Sequence, residues 1–389
     1  MNQTPTSERL HIAFFGKRNV GKSSLVNGFT GQSLSIVSEV LGTTTDPVSK
    51  AMELLPLGPV QIIDTPGFDD EGTLGELRIQ RTRKVLEQAD IVILVTDATK
   101  PLDSLEESFL AEVKSRKVPF LLVRNKADLC RELPREGICT SALTLEGMEE
   151  LKQQVAALQV EQRQRPLVSD LLSPGDTVVL VVPIDKSAPK GRLILPQQQT
   201  IRDILEAGAN ALVCRDRELE MTLKALPQPP KLVITDSQVF DLVDAIVPKT
   251  VPLTSFSILM ARYKGDLPLL AEGIGGLEGL KTGDRILIAE GCTHHRQCED
   301  IGTVKLPRLL RRYTGVEPEF VFVSGKDFPE DLSTFKWVIH CGGCMQTHRQ
   351  LQNRLEQCRK AGIPVTNYGL LLAHLNGILQ RAIKPLVSN

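Results

Sequence analysis

Gly16-Lys17-Arg18-Asn19-Val20-Gly21-Lys22-Ser23 decides the fold of the first part of this chain. It follows the apolar run His11 to Phe15, which reads as a buried strand, and leads into Ser24 to Phe29, which reads as a helix. Strand, glycine-bounded loop and helix in that order make a phosphate-binding loop in the context it needs. The glycines let successive backbone N–H groups turn toward phosphate, and the helix N-terminus adds partial positive charge. Lys22 then reaches the β and γ phosphates, and the Ser23 hydroxyl can ligate Mg²⁺. Gly16, Asn19, Val20, Gly21, Lys22, Ser23 and Ser24 are the expected phosphate contacts.

The base is chosen further along, by Asn125-Lys126-Ala127-Asp128 after the apolar strand Phe120 to Val123. Guanine offers N1–H and N2–H₂ as paired donors, which a carboxylate at Asp128 accepts, whereas adenine has no such pair on that edge. GTP and GDP are therefore favoured over adenine nucleotides, with Ser141-Ala142 as a second guanine contact. Between the two motifs lie Gly42-Thr43-Thr44-Thr45-Asp46 and Asp64-Thr65-Pro66-Gly67, which read as two switch segments ordered by the γ-phosphate. Asp64 holds Mg²⁺ through water, the Gly67 N–H senses the γ-phosphate and Thr44 completes the Mg²⁺ shell. The bland alternative for the threonine run is a polar loop.

Together these signatures, from Leu10 to Leu158, resemble the tRNA-modification and ribosome-assembly GTPases of the translation-factor-like branch. That resemblance implies that Asn19 helps to bind K⁺ beside the phosphates, where the cation does the work of an arginine finger. Phe68 follows Gly67 where Ras-like proteins carry a water-positioning glutamine. Slow, K⁺-stimulated GTP hydrolysis is the expectation, with Lys22, Asn19, Thr44, Asp64 and Gly67 as the catalytic set.

At 389 residues the chain is long enough for two or three cores, and three fit its pattern. Residues 1–165 read as the GTP-binding domain, a doubly wound parallel α/β sheet closed by a helix at Glu146 to Leu158. Residues 174–264 alternate strands and helices from Val178 to Phe256 without a glycine-rich phosphate loop, and read as a second parallel α/β domain. Residues 265–389 read as a third, with strands at Arg285 to Ala289, Phe320 to Ser324 and Trp337 to Ile339. Its expected helices are Ile301 to Tyr313, bent by Pro307, then Met345 to Lys360 and Leu370 to Ala382. Lys plus Arg (46) against Asp plus Glu (47) gives a net charge of -1 with 4% aromatics, so no chain-wide field favours nucleic acid. No apolar run approaches the roughly 18 residues of a membrane span, and a soluble, cytoplasmic protein is expected.

In the third domain Ile339-His340-Cys341-Gly342-Gly343-Cys344 is answered by Cys292-Thr293-His294-His295. Two strands deliver thiols at their carboxyl ends, where open α/β sheets build sites, and Cys344 is expected at the start of a helix. Three thiolates and an exchangeable fourth position suit an iron–sulfur cluster, with His294 and His340 as candidate ligands or outer groups. A Cys₃His zinc site, a redox dithiol and no metal at all stay open as alternatives. Cys298 is a candidate decoy, and Cys358, His348 and His374 read as structural or exposed. Cys130 and Cys139 read as small buried fillers near the base site. Lys305, Arg308, Arg311 and Arg312 read as a solvated basic helix face, with docking of an acidic partner as the alternative.

Cys-x-His, a spacer of about 45 residues and His-Cys-x-x-Cys, placed behind a GTPase and a middle domain, resemble the GTPase maturases of [FeFe]-hydrogenases over nearly the whole chain. The resemblance implies a dimerisation role for the middle domain, hence a homodimer. It also implies a 4Fe–4S cluster on Cys292, Cys341 and Cys344 that anchors a diiron precursor bearing CO and CN⁻. Two radical-SAM hydrogenase maturases and apo-[FeFe]-hydrogenase are the implied partners, and GTP would regulate those encounters. The runner-up is a zinc-stabilised, K⁺-dependent GTPase of tRNA modification or ribosome assembly.

Overall fold

A computed structural model describes residues 4–31, 48–68, 82–158, 166–184, 193–291, 300–325 and 327–387. Thr44 with the whole first switch, and Cys292, His294 and Cys298, lie outside the described residues. The chain divides into two compact units, Met1–Gln162 and Arg163–Asn389.

The first unit is built on a six-stranded sheet. Its strands are β1 (Leu10–Gly16), β2 (Val48–Leu54), β3 (Gly58–Asp64), β4 (Ile91–Asp97), β5 (Phe120–Asn125) and β6 (Ile138–Cys139), in the order β2-β3-β1-β4-β5-β6. Every residue of β1 is buried because helices cover both faces. Ile12 and Phe14 enter one core with α1 (Lys22–Thr30), while Ala13 and Phe15 enter another with Leu110 and Val113 of α2 (Ser104–Ser115). Met148, Leu151 and Val155 of α3 (Met148–Ala157) complete the first of these cores. Asp103 opens α2 with a capping box, accepting the Leu105 and Glu106 N–H groups while Glu106 reaches back.

The sheet departs from the all-parallel reading at one edge, where β2 runs antiparallel to β3. Only Leu55, Pro56 and Leu57 join the two strands, and so short a link permits a hairpin but no crossover. β2 is half-exposed and mixes Ser49, Lys50 and Glu53 with its apolar residues, which hid it as a strand.

The second unit holds two four-stranded sheets, both wholly parallel. In the first, β7 (Thr177–Val181), β8 (Asn210–Cys214), β9 (Leu232–Thr235) and β10 (Leu253–Ser255) stand in the order β10-β9-β7-β8, with α4 (Leu195–Glu206), α5 (Leu219–Ala225) and α6 (Phe240–Ile246) as crossovers. The last strand was expected to run through Phe256. It stops at Ser255 instead, whose hydroxyl accepts the Ile258 N–H at 3.3 Å and caps α7 (Phe256–Tyr263). A short helix, α8 (Leu267–Glu272), leads to the second sheet.

That sheet comprises β11 (Arg285–Glu290), β12 (Glu319–Ser324), β13 (Trp337–His340) and β14 (Val365–Asn367), in the order β12-β11-β13-β14. The helix expected over Ile301 to Tyr313 is a π-type turn, Ile301–Lys305, running into α9 (Leu306–Thr314). Pro307 sits in the first turn of α9, directly after the π-type turn. After α10 (His348–Ala361), β14 forms from three residues too few to show a period. The helix expected over Leu370 to Ala382 is two, α11 (Tyr368–Leu375) and α12 (Leu379–Val387), parted at Gly377 with φ +71°. One continuous hydrophobic core runs from Leu167 to Leu386 and includes residues of both sheets. Among the described residues no helix is long and apolar enough to cross a membrane.

Candidate functional site

The phosphate-binding loop leaves β1 and turns into α1 with Asn19 at φ +60° and Gly21 at φ +82°. Gly16 and Gly21 are required by close approach as well. A Cβ on Gly16 would lie 2.4 Å from the Val95 carbonyl oxygen, and one on Gly21 2.4 Å from Asn125 Nδ2. Lys22 Nζ lies 2.8 Å from Asp64 Oδ1, and Ser23 Oγ donates to Asp64 Oδ2 at 2.7 Å. The two side chains expected at phosphate and metal thus converge on the carboxylate expected behind the metal. Thr65 fixes this end of β3, donating through Oγ1 to the Phe14 carbonyl at 2.8 Å. Phe68 is buried and stacked on Phe109 with centroids 5.0 Å apart, so the position after Gly67 belongs to the core.

Asn125 joins the base-reading motif to the loop. Fully buried at the end of β5, it donates through Nδ2 to the Val20 carbonyl at 2.8 Å and accepts the Ala142 N–H at 3.0 Å. Ala127 N–H donates to the Thr140 carbonyl at 2.9 Å, which lays the loop carrying Ser141 and Ala142 beside Lys126 and Asp128. Asp128 is exposed in a single 3₁₀ turn, Ala127–Leu129. Lys126 pairs with Asp97 at 2.7 Å. Partial burial raises the Asp97 pKa, but hydrogen bonds from Lys126 and Thr99 outweigh it and hold the carboxyl down at about 2. Asp97 was missed in the sequence because a lone aspartate ending a strand carries no spacing signal.

The thiol loop lies at the carboxyl end of β13. Cys341 N–H continues the ladder to the Ala289 carbonyl at 2.9 Å, and the sulfur then accepts N–H groups from Gly291 at 3.0 Å and Gly343 at 3.3 Å. Gly343 takes φ +67°, which turns the chain back so that Gln346 N–H reaches its carbonyl at 3.0 Å. Cys344 does not open a helix as expected. It sits in this turn, and α10 begins at His348 after the capping box of Thr347 and Gln350. Of the sequence-predicted ligands, Cys341 and Cys344 are described and share this loop. Gly291, whose neighbour is Cys292, touches the sulfur of Cys341. Among the described residues no group of three or more His, Cys, Asp or Glu side chains is poised to hold a metal.

His340 is 1% exposed and engaged at both ring nitrogens, Nδ1 to the Cys341 carbonyl at 2.9 Å and Nε2 to Arg354 Nη1 at 3.0 Å. Nε2 accepts from the guanidinium, so Nδ1 carries the proton. Burial, reinforced by the Arg354 charge, pushes the His340 pKa down to about 3. In this arrangement the ring supports the loop from behind and offers no free nitrogen to a metal. Arg354 also donates to the Gly325 carbonyl at 2.8 Å and lies over the Phe328 ring. Nearby, the Tyr368 hydroxyl donates to Glu290 at 3.3 Å, and burial with the adjoining anionic groups pushes its pKa well up. Neither Arg354 nor Tyr368 belongs to the cysteine motifs, so their spacing could not find them. Cys358 is fully buried in the core with its thiol pushed up to about 12 by burial, and His374 meets the Tyr313 hydroxyl at 3.3 Å. The basic face is partly spoken for, since Lys305 donates to Gln238 at 2.6 Å and Arg311 pairs with Glu317.

Family models match three consecutive segments of the chain. Residues 11–126 match the 50S ribosome-binding GTPase model, 167–265 the hydrogen maturase F dimerization domain, and 267–385 the hydrogen maturase F tetramerization domain. The third model is thus named for assembly, not for a cluster. Among individual proteins, the tRNA modification GTPase MnmE of Bordetella petrii is 38% identical over 157 residues, covering 39% of this chain and 34% of that protein. MnmE of Clostridioides difficile is 32% identical over 162 residues, covering 39% and 35%. The chain therefore spans about a third of the length of these curated relatives. A crystal structure of Era with MgGDPNP and a 16S ribosomal RNA fragment is 21% identical, covering 53% of this chain and 92% of that one, at a TM-score of 0.35. The G domain of the T. maritima FeoB iron transporter is 26% identical, covering 38% and 97%, at a TM-score of 0.31. With two hydrogen maturase F models end to end behind a GTPase model, together reaching from residue 11 to residue 385, the chain belongs to the hydrogen maturase F family.

Proposed function

We propose that this protein is a slow GTP hydrolase and a carrier in [FeFe]-hydrogenase maturation: it holds a 4Fe–4S cluster, and its cargo is a diiron precursor bearing CO and CN⁻. The observation that carries this reading is the sulfur of Cys341, which accepts N–H groups from Gly291 and Gly343. Such donors stabilise a thiolate, and one of them is Gly291, which stands directly before Cys292 in the sequence. These residues fit a group held by three thiolates. When bound, a cluster with three protein thiolates leaves one iron free to accept a further ligand. Cys292, Cys341 and Cys344 would hold it, and His294 is the candidate for the fourth position. His340, locked between Arg354 and the loop carbonyl, orients that loop.

At the other site Ser23 and Thr44 would ligate Mg²⁺, with Asp64 behind them, while Lys22 and the turned backbone of residues 16–24 bind phosphate. Gly67 senses the γ-phosphate, and Asn19 recruits K⁺. Asp128 reads guanine, aided by Ser141 and Ala142. Buried Phe68 cannot orient a water, which agrees with slow hydrolysis. A homodimer through residues 167–265 suits β8, an edge strand whose Leu212 and Val213 are 37% and 45% exposed. Radical-SAM maturases and apo-[FeFe]-hydrogenase are the proposed partners, met in the cytoplasm under control of GTP.

The test is iron, sulfide and zinc content with EPR after oxygen-free reconstitution, for wild type and for Cys292→Ala, Cys341→Ala and Cys344→Ala. A reducible cluster lost in each variant is expected. Stoichiometric zinc without a cluster would overturn the carrier reading in favour of a zinc-stabilised GTPase. Binding of a radical-SAM maturase that is equal with GTP, GDP and no nucleotide would overturn the regulatory role of GTP.

A further inference from the structure

Lys264 lies at the end of α7, inside the segment matched by the dimerization model, yet its side chain leaves that segment. It is 2% exposed, and its Nζ donates to the Cys344 carbonyl at 3.2 Å and the Gln346 carbonyl at 2.9 Å. Those carbonyls belong to the turn that presents Cys344. The grip is returned from the other side, because Gln352 of α10 donates through Nε2 to the carbonyls of Lys264 and Gly265, each at 3.0 Å. α7 also forms the floor of the loop: a Cβ on Gly342 would rest 3.5 Å from Ser257 Oγ. Two residues before Lys264, Arg262 on the same helix pairs with Asp170 and donates to the Pro166 carbonyl at 2.9 Å.

We infer that Lys264 is a positioning residue for the thiol site: the dimerization segment completes that site by clasping the Cys344 turn with a buried ammonium. The inference rests on the cluster reading proposed above and adds to it a residue outside the cysteine loop and a direction of effect. A lysine ammonium has three donors and no acceptor, so it fits a cradle of carbonyls and no neutral residue replaces it fully. Burying it there costs desolvation that a merely structural contact would not need. What the charge adds is a positive field at the thiolates, which favours the more negative, reduced state of any metal group they hold. Spacing could not reveal this, since Lys264 lies outside the cysteine motifs and a lone lysine reads as surface.

Lys264→Met and Lys264→Gln test it in the full chain, with native fold judged by circular dichroism and elution volume. In the metal-free protein, amide hydrogen exchange across residues 341–347 should quicken severalfold in Lys264→Met and less in Lys264→Gln, which keeps a donor. After oxygen-free reconstitution, an EPR-monitored redox titration should find the midpoint potential of both variants more negative than wild type. Unchanged loop exchange in a folded variant overturns the clasp, and an unchanged potential overturns the field effect. Lys264→Gln carries both measurements if Lys264→Met does not fold. A wild-type protein that takes up no cluster refutes the carrier reading, while the exchange experiment still judges the clasp.

Discussion

Truncating Asn125 to alanine should loosen nucleotide binding without touching any group that contacts nucleotide through its charge. Two well-formed hydrogen bonds disappear, one to the Val20 carbonyl at 2.8 Å and one from the Ala142 N–H at 3.0 Å. Asn125 is 1% exposed, so water does not readily replace the lost partners. A buried group left unsatisfied costs about 1–3 kcal/mol, and two of them destabilise the phosphate-binding loop and its junction with the guanine motif by about 2–6 kcal/mol. If only about 2 kcal/mol of that falls on the binding-competent loop, affinity drops about 30-fold. The assay is fluorescence anisotropy with a labelled GDP, alongside thermal unfolding of the first unit. Thr140→Ala serves as control, because its 3.4 Å contact to Asn125 is the weakest of the set and its loss should cost under about 1 kcal/mol. Asn125→Asp should be no better than alanine, since it turns a carboxylate oxygen toward the Val20 carbonyl. A Kd for Asn125→Ala within twofold of wild type would refute the claim that this residue organises the site.

Further expectations follow from single features of the structure. Asp128→Asn replaces the proposed acceptor for guanine by a donor and should weaken GTP by roughly 10²–10⁴-fold, two charge-assisted bonds being at stake, while improving xanthosine triphosphate; competition binding measures both. Asp97 is held at about 2 in the folded state against an ordinary 3.8, so its contribution of about 2 kcal/mol is fully present above pH 4 and is lost as pH falls toward 2. The stability advantage of wild type over Asp97→Asn in urea unfolding should shrink across that window, and a constant difference would contradict it. Arg354→Met leaves His340 Nε2 and the Gly325 carbonyl without their donor and should lower the stability of the second unit by about 2–6 kcal/mol in the same assay. Lysines in place of both Leu212 and Val213 on β8 should shift the protein toward monomer in light scattering without altering GTP affinity.

The sequence determined most about this protein where chemistry demands fixed spacing. Gly16, Lys22, Ser23 and Asn125 announce a phosphate loop and a base-reading motif because phosphate and guanine have invariant shapes, and the elements around them are long apolar runs covered on both faces. Cys341-Gly342-Gly343-Cys344 stands out in the sequence by its spacing alone, and the structure sets both cysteines in one loop. β2 and β14 were not: one is a half-exposed edge strand whose pairing is set by its short link to β3, and the other is three residues long. The break at Gly377 and the early end of β10 likewise depend on a local cap that competes with an apolar pattern. What only the tertiary structure decided is the company each motif keeps. Asp64 receives both Lys22 and Ser23, Phe68 turns inward onto Phe109, and Cys341 meets Gly291 across two adjacent parallel strands. Arg354 and Lys264 reach the thiol loop from helices 13 residues after and 77 residues before Cys341, because parallel strand order, not distance along the chain, sets which side chains share a site.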